Sequence, residues 1–285
     1  MATLYIHVGM TKTGSTTIEA TFHESRGLLL RHGVDYLDLG QNHNKIMAVA
    51  VKNSAKGLKG EATRILGLEK DEDDYDPALV VGEIVKRFEA LRAPAMVISG
   101  QGLLGFKPRD TKRLKDFVQP YFDTVKIVAY VRDPTGWASS RAQEHMKRGH
   151  SLAWLAGTLE KDGALAPIVP KYRAGLSAYI DAFGRENVDI RVFDRRRFPN
   201  GDLLADFCQA VGVDPAVALE LPRNWNNRGA SLEALLLIQA HYDLVEQRMR
   251  LEAGDPGQSL TDEELNRYRK PSFNFPVREA VRNVR

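Results

Sequence analysis

Two short clusters of residues have the types and spacing to hold anions. The first is Gly9-Met10-Thr11-Lys12-Thr13-Gly14-Ser15-Thr16-Thr17, which follows the apolar run from Thr3 and precedes a helical run from Ile18. A strand, a glycine-bounded turn and a helix start together make a phosphate site. The first helical N–H groups have no intrahelical acceptor, and the helix dipole favours negative charge there. Gly14 lets the backbone approach an anion closely, and Ser15, Thr16 and Thr17 add hydroxyl donors. The second cluster is Arg132-Asp133-Pro134, at the end of the apolar run Val125-Lys126-Ile127-Val128-Ala129-Tyr130-Val131, with Ser140 eight residues beyond the arginine. An arginine fork plus a hydroxyl clamps a second, separate phosphate.

The first cluster invites comparison with the nucleotide-binding loop G-x-x-x-x-G-K-[ST]. Gly9 and Gly14 have that spacing and Thr16 falls on its Ser/Thr position, but Ser15 stands where the loop demands lysine. The lysine here is Lys12, inside the turn, where it meets a 5′ anionic group from a different side. An ATP-dependent small-molecule kinase, with Asp133 holding Mg²⁺, is therefore the alternative rather than the first reading. No H-E-x-x-H, no Cys/His metal spacing, no G-x-S-x-G elbow and no G-x-G-x-x-G after the first strand is present. No metal is expected.

Taken together, the two clusters resemble the sulfotransferases that use 3′-phosphoadenosine 5′-phosphosulfate (PAPS). Lys12-Thr13-Gly14-Ser15-Thr16 is similar to that family's K-[ST]-G-[ST]-[ST] loop for the 5′-phosphosulfate, and Arg132 with Ser140 matches its 3′-phosphate element in order and spacing. The wording His7-Val8-Gly9-Met10-Thr11-Lys12-Thr13-Gly14 and Arg132-Asp133-Pro134 looks most like the bacterial and Golgi-type branches. Tyr179 to Gly184 with Val188 to Asp194, then Leu203 to Gly212, resemble the family's later helix–strand–helix. The resemblance implies a P-loop NTPase-like α/β sulfotransferase fold. It also implies PAPS as co-substrate with 3′,5′-phosphoadenosine (PAP) as product. The acceptor would be a hydroxyl or amine on a glycan, a lipid headgroup or a small molecule. Thr17 stands where the cytosolic branch has an adenine-holding Trp, and Phe193 where Tyr is usual. Asn227-Arg228-Gly229 is the nearest counterpart of the late basic loop.

Sulfuryl transfer needs charge stabilised on the leaving phosphate and a proton taken from the acceptor. Lys12 suits the first. Among seven histidines, His43 follows the run Val34-Asp35-Tyr36-Leu37-Asp38-Leu39, and chain order sets it at a strand end beside the anion loop. It is the expected base. Gln101, at another strand end, is a substrate-orienting rival site, and Asp38 is a third option.

These residues need strands to present them. Short apolar runs at 3–9, 33–38, 95–100, 125–131 and 188–193 alternate with helical periodicity, the pattern of an α/β fold with a mainly parallel sheet flanked by helices. Helices are expected over 170–183, capped by Gly184, from Pro134, and over 232–249, where Leu232, Leu235, Leu236, Gln239, Tyr242, Val245 and Met249 share a face. The 285 residues suit one domain, with 41–80 as a lid or insertion and 265–285 as a basic tail. A formal charge of +3 is too small to argue for nucleic acid but suits an anionic small molecule. One cysteine, Cys208, allows no intrachain disulfide and is expected as a buried thiol. With no signal peptide and no run of about 18 apolar residues, the expectation is a soluble cytoplasmic protein without a transmembrane segment.

Overall fold

A computed structural model describes residues 2–52, 76–147, 150–151, 170–223 and 232–252. Five strands form one sheet: β1 (Thr3–Gly9), β2 (Val34–Tyr36), β3 (Ala95–Gln101), β4 (Thr124–Val131) and β5 (Val188–Val192). Their order is β2-β3-β1-β4-β5 and every pairing is parallel. Parallel strands need helical crossovers, which cover both faces, so the strands are apolar on both sides. The burial string of β3, six buried residues followed by one half-buried, shows this directly.

Side-chain alternation splits the core in two. Leu4, Ile6 and Val8 of β1 face one layer, with Met96, Ile98, Ile127 and Ala129 beside them. That layer is covered by α3 (Asn44–Lys52), α4 (Pro77–Glu89), α5 (Pro108–Val118) and α7 (Tyr172–Phe183), through Ile46, Met47, Ile84, Leu114 and Tyr179 among others. On the opposite face, Val97, Val128 and Tyr130 meet α1 (Ser15–Glu24), α2 (Arg26–Arg31) and α8 (Leu203–Ala210), through Ile18, Phe22, Leu29, Leu204 and Phe207. Cys208 is fully buried in this second layer and burial pushes its thiol up to about 12. It is the expected structural thiol.

The chain divides into two compact units: residues 1–132 with 171–224, which hold the whole sheet, and residues 133–170 with 225–285. In the second unit, α6 (Pro134–Lys147) packs on α9 (Leu232–Glu252) through Met146, Ile238 and Tyr242, whose hydroxyl donates to the Met146 carbonyl. The buried stripe of α9 runs Leu235, Ile238, Tyr242, at steps of three and four. Leu236, expected on that face, is 57% exposed because it sits one residue, about 100° of helix, off the stripe.

All five expected strands are present, and the helix after Pro134 begins where expected. The segment 41–80 is only partly described. Its ends are α3 and the start of α4, whose Ile46, Met47, Val49 and Val80 belong to the core; residues 53–75 lie outside the described residues. So do Asn227-Arg228-Gly229 and the 265–285 tail. Among the described residues no helix is long and apolar enough to cross a membrane.

Candidate anion-binding site

β1 is the central strand, and the turn that leaves it, residues 10–14, has two left-handed residues. Gly14 sits at φ 77° and Lys12 at φ 68°. For Gly14 the reason is steric as well as conformational. A Cβ there would lie 2.2 Å from Leu203 Cδ2 and 3.2 Å from Phe193 Cε2, so a side chain would force Leu203 to move. Lys12 is different: an L-residue with a side chain pays about 1–2 kcal/mol in this region. Such strain persists where surrounding structure over-determines it, and is concentrated at functional sites.

Here the over-determination is visible. The Thr13 hydroxyl donates to the Met10 carbonyl at 2.8 Å and the Ser15 hydroxyl to the same oxygen at 2.9 Å. Arg132 Nη1 donates to the Lys12 carbonyl at 3.1 Å. The two buried hydroxyls therefore shape the turn, and its capacity for an anion lies in backbone N–H groups. The hydrogen bonds of α1 begin with the Thr17 and Ile18 N–H groups donating to Gly14 O, at 3.0 and 3.1 Å. The N–H groups of Ser15 and Thr16 thus belong to the open first turn, where the dipole is positive. Thr16 is exposed, and its hydroxyl donates to Gln101 Oε1 at 3.3 Å.

Arg132, just past the end of β4, comes to the loop from the side. Its guanidinium lies 5.5 Å from the Phe193 ring centroid, a cation–π contact, while its backbone N–H and carbonyl both bond the Tyr172 hydroxyl at 2.9 Å. The guanidinium has five N–H donors, and the Lys12 carbonyl accounts for one. The structure therefore joins Lys12, Thr13, Gly14, Ser15, Thr16 and Arg132 at one end of the sheet. Phe193, noted in the sequence only as a departure, is what the guanidinium rests on. Ser140 is half-buried on α6, in the second unit.

His43, the base expected from the sequence, turns its ring into the protein. It is fully buried; Nε2 donates to the Leu37 carbonyl at 2.9 Å and Nδ1 accepts the Ser99 N–H at 3.0 Å. Its own N–H returns to Ser99 O at 2.8 Å. Burial pushes its pKa down to about 4, so the ring is neutral and pins the exit of β2 to β3. The sequence placed it beside a strand end correctly, but the side chain turns into the protein. His7 is also buried, with Nδ1 2.7 Å from Ser99 Oγ, and burial takes it down to about 3. Asp38, the third option, is ion-paired with Arg26 at 2.9 Å. Asp133, the Mg²⁺ holder of the kinase alternative, accepts the Gly136 N–H at 2.7 Å and so caps α6. Sequence reasoning missed Glu19. Its signal was a charge set between Ile18 and Phe22 on a helix face that had to be buried.

No family model matches the chain. An uncharacterized protein of Archaeoglobus fulgidus is 24% identical over 149 residues, 52% of this chain; the match spans 39% of that relative's length. Among solved structures, a sulfotransferase from Alicyclobacillus acidocaldarius aligns over 83% of this chain and 91% of its own, at 18% identity and a TM-score of 0.45. The sulfotransferase domain from the curacin biosynthetic pathway aligns over 74% of each chain, at 14% identity and a TM-score of 0.39. The corresponding domain of the Synechococcus PCC 7002 olefin synthase also aligns over 74% of each chain, at 12% identity and a TM-score of 0.36.

Proposed function

We propose that this chain is a sulfotransferase that moves a sulfuryl group from PAPS to a hydroxyl or amine acceptor. The observation that carries the reading is the bond from the Arg132 guanidinium to the Lys12 carbonyl. Two motifs that lie 120 residues apart meet at one site, in the order and with the residue types that a bis-anionic adenosine requires. A nucleotide with phosphates at both ends of its ribose needs two cationic contacts, and Lys12 and Arg132 offer two.

The residues fit that ligand on their own chemistry. The first N–H groups of α1, at the positive end of its dipole, can hold anionic oxygens closely. Lys12 supplies a mobile charge for the oxygen between phosphorus and sulfur. During transfer the sulfur–oxygen bond to the 5′-phosphate breaks, a bond from sulfur to the acceptor forms, and the acceptor gives up its proton. Lys12 and the loop N–H groups hold the negative charge that develops on the departing phosphate, which is stabilisation at the atom that needs it. Arg132 holds the 3′-phosphate, stiffened by Phe193 and by the Tyr172 hydroxyl. The resemblance adds Ser140 as a second 3′-phosphate contact and His43 as the proton acceptor, the latter with its ring bonded to the Leu37 carbonyl and the Ser99 N–H. The acceptor's class, glycan, lipid headgroup or small molecule, follows from the same analogy.

Calorimetric titration with PAP and, separately, with ATP and Mg²⁺ tests this. PAP binding at micromolar concentration with little ATP binding is expected; tight ATP binding without PAP binding overturns the reading. Incubation with ³⁵S-labelled PAPS and fractionated cell extract then identifies the acceptor by the label it gains.

A further inference from the structure

Glu19 is on α1, one turn past the anion loop, and only 2% exposed. Its carboxylate reaches two chain segments at once. One oxygen accepts the Gln101 backbone N–H at 2.6 Å and the other accepts the Asn42 side-chain amide at 2.9 Å. Gln101 is the last residue of β3, opposite Gly9 in the β1 register, and its side-chain oxygen takes the Thr16 hydroxyl. Asn42 leads into α3, where its Oδ1 accepts the Asn44 N–H at 2.9 Å.

Both partners of Glu19 are donors, so only an ionised carboxylate satisfies both. A protonated acid or a glutamine turns a hydrogen toward one of them. Asn42 cannot answer by reversing its amide, because its oxygen already holds Asn44. We propose that Glu19 is a positioning residue of this site: its ionised carboxylate clasps the tip of β3 to the turn before α3 and so sets where Gln101 and Thr16 stand beside the bound nucleotide. The proposal rests on the sulfotransferase reading for the nucleotide and on geometry alone for the clasp. Burial pushes the Glu19 acid up to about 7, against the two hydrogen bonds that pull it down, so the clasp is made and released near neutrality. Among the titratable groups nearby, Tyr36 from β2 feels its charge, and the rings of His43 and His23 lie against Tyr36. β3 presents Ser99 and Gln101, neither of which ionises.

The test is an amide titration of the ¹⁵N-labelled full chain. The Gln101 backbone amide and the Asn42 side-chain amide are expected to shift together with one midpoint near 7, and Glu19→Gln is expected to abolish the shift. In the same samples PAP affinity falls about fivefold in Glu19→Gln, the size of one ordinary hydrogen bond lost behind the site. Wild type loses affinity on acidification over and above the pH dependence left in the variant, which belongs to the ligand's own phosphates. Amides that ignore pH, or a variant that binds like wild type, overturn the proposal. A wild type that binds no PAP overturns the sulfotransferase reading instead, and the amide titration alone then decides the clasp. If Glu19→Gln does not fold, the wild-type titration decides by itself: a shared midpoint near 7 supports the clasp, and separate or absent midpoints refute it.

Discussion

The Arg132 guanidinium donates to the carbonyl of Lys12, the residue whose backbone sits at φ 68°. A cation thus stabilises the strained peptide that presents another cation. Arg132→Ala therefore removes the proposed 3′-phosphate contact and a brace together, and PAP affinity is expected to fall about 10- to 100-fold, the range for hydrogen bonds to charged groups. Arg132→Lys keeps the charge but not the fork or the stacking on Phe193, and is expected to recover less than half of the lost free energy. Calorimetry on both variants checks this, and equal affinity in all three proteins would falsify the clamp.

Gly14→Ala meets both the left-handed backbone and the 2.2 Å clash with Leu203. Backbone strain and overpacking of this kind each cost about 1–3 kcal/mol. The expected outcome is a lower Tm and loss of PAP binding together. Pairing it with Leu203→Ala should return part of the stability, since that variant removes the clash and leaves the φ penalty; a double variant no more stable than the single one would show the clash to be unimportant.

His43→Ala is expected to act on the fold. It removes two buried ring hydrogen bonds and leaves a cavity next to Ser99, a loss of about 2–4 kcal/mol. The measurement is denaturant unfolding beside turnover with labelled PAPS. Wild-type stability with lost turnover would restore the base expected from the sequence.

Acid should destabilise the protein through its buried histidines. His43 and His7 are held by burial at about 4 and about 3, below the ordinary 6.5, so the unfolded chain binds their protons first. The stability they lend is complete above pH 6.5 and drains as pH falls from there toward 4 and 3. Glu19, raised to about 7 from 4.5, works the other way and adds stability over the window from 7 down to 4.5. At about 1.4 kcal/mol per pKa unit, the two histidines outweigh the one carboxyl. Unfolding midpoints across this range are expected to fall below about pH 6, and to fall less in His7→Phe.

The strands were legible because each is a short apolar run bounded by polar residues, as at Ala95–Gln101, and a sheet covered on both faces demands such runs. The turn between β1 and α1 was legible because glycine spacing and a helix start are local facts. Side-chain direction was not. His43 is placed at the right strand end, yet its ring points to Leu37 and Ser99, and nothing local in the sequence distinguishes inward from outward there. Glu19 shows the converse: a charged residue reads as surface until its donors, Gln101 and Asn42, arrive from segments 82 and 23 residues away. Leu236 was lost to a one-residue phase error on α9, because a run of four aliphatic residues from Leu235 to Ile238 leaves the periodicity ambiguous.

Because β1 runs between β3 and β4, the turn that follows it has two unlike shoulders. The β4 side supplies a guanidinium; the β3 side supplies the neutral amide of Gln101. Changes confined to the amide shoulder leave the cationic one intact, so that border is where partner preference can drift, or be re-engineered, while the proposed grip on the nucleotide is inherited unchanged.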